Sequence, residues 1–249
     1  MQIPTLLSLA KASSLAYLSI DKIPASPYYE SSQLQPLFQV VDPASQSGAT
    51  VFLPDDDSSI VVACRGSANI KNFATNLRFN LEALVHQGFQ DASLGLWSEL
   101  EQKLFGVLVE RDMKMRSVVF TGHSLGGATA LLSSVHYIAS SKNNANWPKP
   151  SIVSFGGPKL CNSPLARHIR NTALQNCNIL HLVHDKDPIL ANNQQLWDAL
   201  GFENVGLEIE CDPNNPLVYD EKPDNPSFAW NILDHCYYLG VFVGPRLTI

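Results

Sequence analysis

The sequence predicts an α/β fold with a mixed, mostly parallel central sheet flanked by helices. Two observations carry this. Short runs rich in β-branched and aromatic residues recur at Phe38–Val41, Thr50–Leu53, Ser59–Cys64, Ser117–Thr121, Ser151–Phe155, Asn178–Val183 and Val205–Glu210. The first three have no helical pattern between them. The later ones alternate with helical patterns, which calls for crossover connections and parallel strands.

The helical segments follow from spacing. In Ser124–Ser141 the residues Ala128, Leu131, Leu132, Val135 and Ile138 recur at intervals of three and four. Phe89–Val109 and Asn162–Leu174 read likewise, and the first ten residues read as an amphipathic helix. Breaker-rich stretches at 55–58, 143–150 and 212–226 read as surface loops, so the expected organisation is one domain over residues 1–249. Asp55, Asp56 and Asp57 fit a solvated turn better than a metal site, because no partner ligand stands at a recognisable spacing.

Bulk composition narrows the function. Seventeen basic against 23 acidic residues give a net charge of −6, which argues against a nucleic-acid partner. It also gives no electrostatic help toward anionic membranes, so any transient contact with a lipid surface must be apolar. The five cysteines are scattered without a CxxC pair, which argues against zinc or redox motifs. The start lacks a basic n-region and places Lys11 where an apolar stretch should continue. That points to an intracellular protein unless a leader was trimmed.

The chemical signal is Gly122-His123-Ser124-Leu125-Gly126, entered from a strand and left through a helix. That setting distinguishes a nucleophile elbow from a chance match. Ser124 must sit on a sharp turn, and Gly122 and Gly126 remove side chains that would collide with neighbouring elements. The helix start then offers free N–H groups beside a developing oxyanion. A serine needs a base and an acid to orient that base, in the chain order Ser, Asp or Glu, His. His235, near the C-terminus, suits the base. His168 reads as a solvated face, His136 lies along the helix after the elbow, and His181 and His184 belong to a strand. For the acid, Asp185 and Asp187 share one side by strand alternation, so spacing does not separate them. Pro188 favours Asp187, because it holds the preceding residue extended and fixes the exit of the loop.

Six ordered segments resemble the class 3 (fungal-type) lipase family of the α/β-hydrolase superfamily. These are Ala12–Leu18, Arg65-Gly66-Ser67 with Asn72-Phe73, Val85–Phe89, Gly122–Gly127, Ser154–Lys159 and Val183–Pro188, followed by His235 with Tyr238. The resemblance implies Ser124 as nucleophile, Asp187 as orienting acid, His235 as general base, and Ser67 with Leu125 as the oxyanion hole. It implies a lid helix carrying Ile70, Phe73 and Leu77, whose spacing makes one apolar stripe, and structural roles for His86 and His123. No cofactor or metal is needed. The expected substrate is an acylglycerol or related lipid ester. Alternatives are a phospholipase, galactolipase or feruloyl-type esterase with the same triad, or a catalytically inactive interaction domain. The short segment from Arg78 to Val85 predicts modest interfacial activation at most.

Overall fold

The computed structural model describes residues 4–67, 85, 87–111, 117–141, 147–184, 187–211 and 235–245. In chain order, helix α1 (Leu6–Leu15) and a one-turn helix α2 (Tyr29–Ser32) precede strands β1 (Leu34–Val41), β2 (Gly48–Pro54) and β3 (Ser59–Arg65). Helix α3 (Gln87–Glu110), strand β4 (Ser117–His123), helix α4 (Leu125–Ser141) and strand β5 (Pro150–Phe155) follow. Then come β6 (Cys161–Asn162), α5 (Ser163–Asn171), β7 (Ile179–Val183), α6 (Pro188–Leu200), β8 (Phe202–Glu203) and β9 (Leu207–Glu210). A hairpin of β10 (Tyr237–Tyr238) and β11 (Val241–Phe242) ends the described chain.

The central sheet runs β1-β2-β3-β4-β5-β7-β9. The first three strands are antiparallel, and every later pairing is parallel. This is the mixed, mostly parallel sheet of an α/β-hydrolase fold. Side chains alternate between its faces with period two. Ile60, Val62, Cys64, Val118, Phe120, Ile152 and Ile179 pack toward α3, α4 and α5. Val61, Ala63, Val119, Val153, Phe155 and Leu182 pack toward α1 and the C-terminal hairpin. Helices cover both faces, so the central strands read as continuous apolar runs.

Boundaries differ from expectation where geometry intervenes. β1 begins at Leu34, not Phe38, and its register shifts between Pro36 and Phe38. Proline is tolerated on such an edge strand, but it breaks the alternation that would have revealed the strand. β9 begins at Leu207 because Val205 and Gly206 bend. A Cβ on Gly206 would lie 2.4 Å from Cγ2 of Ile179. α5 stops at Asn171, and Thr172 returns its hydroxyl to the His168 carbonyl at 2.6 Å.

Apolar periodicity does not reveal helix α6. Its Asn192-Asn193-Gln194-Gln195 run weakens the apolar periodicity. Its ends were nonetheless written in the sequence: Asp187 is the N-cap, Pro188 opens the first turn, and Gly201 closes the helix in the left-handed conformation at φ 63°. Among the described residues, no helix is long and apolar enough to cross a membrane.

Candidate active site

Strand β4 ends at His123 and α4 starts at Leu125, so Ser124 alone makes the turn. Its φ is 57°, a left-handed conformation that costs an L-residue about 1–2 kcal/mol. Surrounding contacts hold it there. Ser124 N–H donates to the Phe155 carbonyl at 3.0 Å, and Gly127 N–H donates to the Ser124 carbonyl at 2.9 Å. The glycines are required by crowding. A Cβ on Gly122 would sit 2.3 Å from the Gly126 carbonyl oxygen, and one on Gly126 would sit 2.2 Å from that of Cys64 on β3. The sheet, the elbow and α4 thus meet at backbone contact.

The expected acid and base arrive from two other elements. Asp187 lies between β7 and α6, with its side chain divided between two tasks. Oδ1 accepts from the backbone N–H groups of Ile189 at 2.8 Å and Leu190 at 3.2 Å. Oδ2 stands 2.7 Å from Nδ1 of His235, and both side chains are fully buried. The helix cap therefore fixes the rotamer that the histidine contact needs. Asp185, the other candidate acid, lies outside the described residues, as do the lid residues Ile70, Phe73 and Leu77 and the expected structural histidine His86.

His235 lies two residues before the two-stranded hairpin, which among the described residues pairs with no strand of the central sheet. Side chains hold that hairpin in place by its backbone. His184 Nε2 donates to the Tyr237 carbonyl at 2.9 Å, and Ser14 Oγ donates to that of Phe242 at 2.7 Å. Phe242 N–H donates to Tyr28 Oη at 3.0 Å, and His123 Nε2 donates to the His235 carbonyl at 2.7 Å. His123 thus has the structural role expected of it.

Ser124 Oγ and His235 Nε2 are both buried and have no hydrogen-bond partner among the described residues. No third group among these residues therefore occupies the two atoms between which a serine–histidine nucleophile passes its proton. Leu125 opens α4, where the first amides lack intrahelical acceptors. Ser67 is half-buried two residues beyond β3, whose register sets Cys64 beside Gly122. Gly66, which precedes Ser67, comes close to the elbow: a Cβ there would lie 2.5 Å from the His123 carbonyl oxygen.

Of the remaining histidines, His168 is exposed, as expected, and His136 stacks on Trp97 with ring centroids 5.7 Å apart. His181 bonds Ser154 Oγ at 2.6 Å, and burial lowers its pKa to about 4. Burial likewise holds His123 well below the usual imidazole value, with repulsion from His235 adding to it. The Cys236 thiol, next to His235, is pushed up by burial and by Asp187.

Two site residues escaped the sequence reading. Gly156 has φ 58°, and a Cβ there would lie 2.8 Å from Tyr238 Oη and 3.2 Å from both Asp187 Oδ2 and His235 Nδ1. It was visible only as part of the Ser154–Lys159 turn. Tyr17 Oη lies 2.9 Å from His123 Nδ1, a contact across 106 residues of sequence that no local pattern could reveal.

The sequence profile of class 3 lipases matches residues 61–192, just over half of the chain and spanning the elbow and Asp187. The lipase of Rhizomucor miehei is 25% identical over 219 residues, covering 80% of this chain and 56% of the relative. A solved structure of that organism's triacylglyceride lipase superposes with a TM-score of 0.75 at 21% identity, covering 96% of this chain and 94% of that one. The secreted mono- and diacylglycerol lipase 1 of Fusarium solani is 26% identical over 159 residues, 60% of this chain and 44% of its own. A chloroplastic phospholipase A1 of Arabidopsis thaliana is 29% identical over 147 residues, 55% of this chain and 20% of its own. The chain spans about half the length of these curated lipase relatives. On the extent of the profile match and the fold it shares, the chain belongs to the class 3 lipase family.

Proposed function

We propose that this chain hydrolyses the carboxylic esters of acylglycerols or related lipids through an acyl-enzyme on Ser124. The observation that carries the reading is the buried 2.7 Å contact between His235 Nδ1 and Asp187 Oδ2, with His235 Nε2 and Ser124 Oγ both uncommitted. Asp187 Oδ2 accepts a hydrogen bond from Nδ1–H, so the Nε2 lone pair is free to act as base.

In the first step His235 Nε2 takes the Ser124 hydroxyl proton while Oγ bonds to the ester carbonyl carbon. The resulting oxyanion is met by the Leu125 N–H and by the N–H and hydroxyl of Ser67. The tetrahedral species collapses by breaking the bond to the alcohol oxygen, which leaves with the proton held on Nε2. Water then gives a proton to Nε2 and its oxygen to the acyl carbon. The acid departs, and Ser124 recovers its proton. Asp187 stabilises the imidazolium that forms in each half-reaction. Intact Ser124, Asp187 and His235 weigh against an inactive interaction domain.

Phospholipid hydrolysis with the same triad is the second reading, favoured by the phospholipase A1 relative. The lipid-facing role of Ile70, Phe73 and Leu77 belongs to the proposal as well. The cytoplasmic placement gains no support from relatives of which one is named as secreted and another as chloroplastic. A panel of p-nitrophenyl esters of graded chain length, emulsified triolein and phosphatidylcholine vesicles tests the substrate assignment. The proposal expects turnover of short-to-medium soluble esters and of triolein, with no steep rise above the solubility limit. Preference for phosphatidylcholine moves the assignment to the second reading, and no turnover of any ester overturns both.

A further inference from the structure

Directional hydrogen bonding fixes a chain of donors beneath His235. The His235 carbonyl can only accept, so the His123 Nε2 that contacts it at 2.7 Å carries a proton. His123 is fully buried and its ring centroid lies 4.6 Å from that of His235, which keeps it neutral. A neutral ring protonated at Nε2 has a bare lone pair at Nδ1. Tyr17 Oη, 2.9 Å away, must therefore donate to it. The phenol oxygen also lies directly against Gly66. The approach is so close that a Cβ on Gly66 would lie 2.2 Å from Oη. Gly66 immediately precedes Ser67, the expected oxyanion donor.

From this we infer that Tyr17 is a positioning residue that ties the oxyanion loop at Gly66–Ser67 to the base His235, acting through the tautomer of His123. The inference rests on the Ser124–Asp187–His235 reading. One hydroxyl packs against Gly66 and donates a hydrogen bond to His123. The two donors that meet the oxyanion and the base that moves the proton are thereby referenced to a single atom on the chain that follows α1. The last turn of α1, just before it, is well anchored. Ser13 Oγ lies 3.1 Å from Thr121 Oγ1 on β4, and Ser14 bonds the hairpin. Positions near the transition state tolerate little displacement, and errors of about 1 Å cost on the order of 10²-fold. The Tyr17 contacts should therefore appear in kcat and not in binding.

The test uses the full chain with a soluble p-nitrophenyl ester. Tyr17→Phe removes the hydroxyl and keeps the ring. Tyr28→Phe removes another phenol bonded to the same hairpin, at Phe242, and serves as the comparator for general loosening. Tyr17→Phe is expected to lower kcat about tenfold or more with KM within twofold, while Tyr28→Phe keeps kcat within twofold. His123→Phe reads the chain from its other end, and it remains available should Tyr17→Phe not fold. It is expected to lose kcat at constant KM, and the double variant is expected to lose less than the product of the two single losses. Wild-type kcat in Tyr17→Phe, an equal loss in Tyr28→Phe, or multiplicative losses in the double variant would each overturn the inference. Ser124→Ala run alongside separates the two levels. If it stays active, the triad reading fails; if it is dead while Tyr17→Phe is wild-type, only the role of Tyr17 fails.

Discussion

At the scale of single residues, the site is defined as much by missing side chains as by reactive ones. Gly122 and Gly126 allow strand, turn and helix to meet, and their role followed from the motif alone. Gly156 did not, because nothing local marks it. It matters because β5 and β7 bring the turn after Phe155 against Asp187 and His235, a long-range consequence of the parallel sheet. Gly156→Ala would need both a left-handed backbone and room that the acid and base already occupy. Its expected effect is a loss of at least 10²-fold in kcat, on the scale that a displacement of about 1 Å costs, measured as kcat with a soluble ester. Near-wild-type kcat would show that the acid–base contact tolerates the displacement.

Helix α6 shows at the scale of elements how one residue can serve structure and chemistry separately. Its two ends offer a contrast. At the start, Asp187→Asn keeps a good N-cap but presents an amide that favours the wrong histidine tautomer. The comparable change in serine proteases costs about 10⁴-fold. A collapse of kcat with little change in melting temperature is therefore expected. At the other end, Gly201 has φ 63° with open space around it. Gly201→Ala is expected to cost about 1 kcal/mol of stability through backbone strain and to leave kcat within twofold. Thermal melting and ester kinetics on both variants check the pair. The same helix marks where the sequence was under-read. Periodicity missed it, although its cap, proline and terminal glycine were all present. The choice of Asp187 over Asp185 rests on the family resemblance and on Pro188, which opens that helix. The strands, by contrast, were legible because a sheet buried on both faces demands unbroken apolar runs.

Across the whole molecule, buried neutral histidines couple folding to pH. Burial holds the folded pKa of His181 at about 4 and that of His123 well below its ordinary value. An unfolded chain takes up a proton at each as pH falls through about 6.5, while the folded chain does not. Acid therefore favours unfolding. Stability should fall as pH drops from about 6.5 toward 4, at up to roughly 1.4 kcal/mol per pH unit for each group. Urea midpoints across that range read the slope. His181→Phe, whatever its own stability, should show a shallower dependence than the parent chain. An unchanged slope would exclude His181 as a contributor.

The central claim is that one serine, at the elbow, carries the acyl group. Its most direct test is intact-mass and peptide-mapping mass spectrometry after titration with a fluorophosphonate. The account predicts one adduct per chain, located on Ser124, with ester hydrolysis falling in proportion to its occupancy and no labelling of Ser124→Ala. An adduct on another residue, or hydrolysis that survives full occupancy of Ser124, would contradict it.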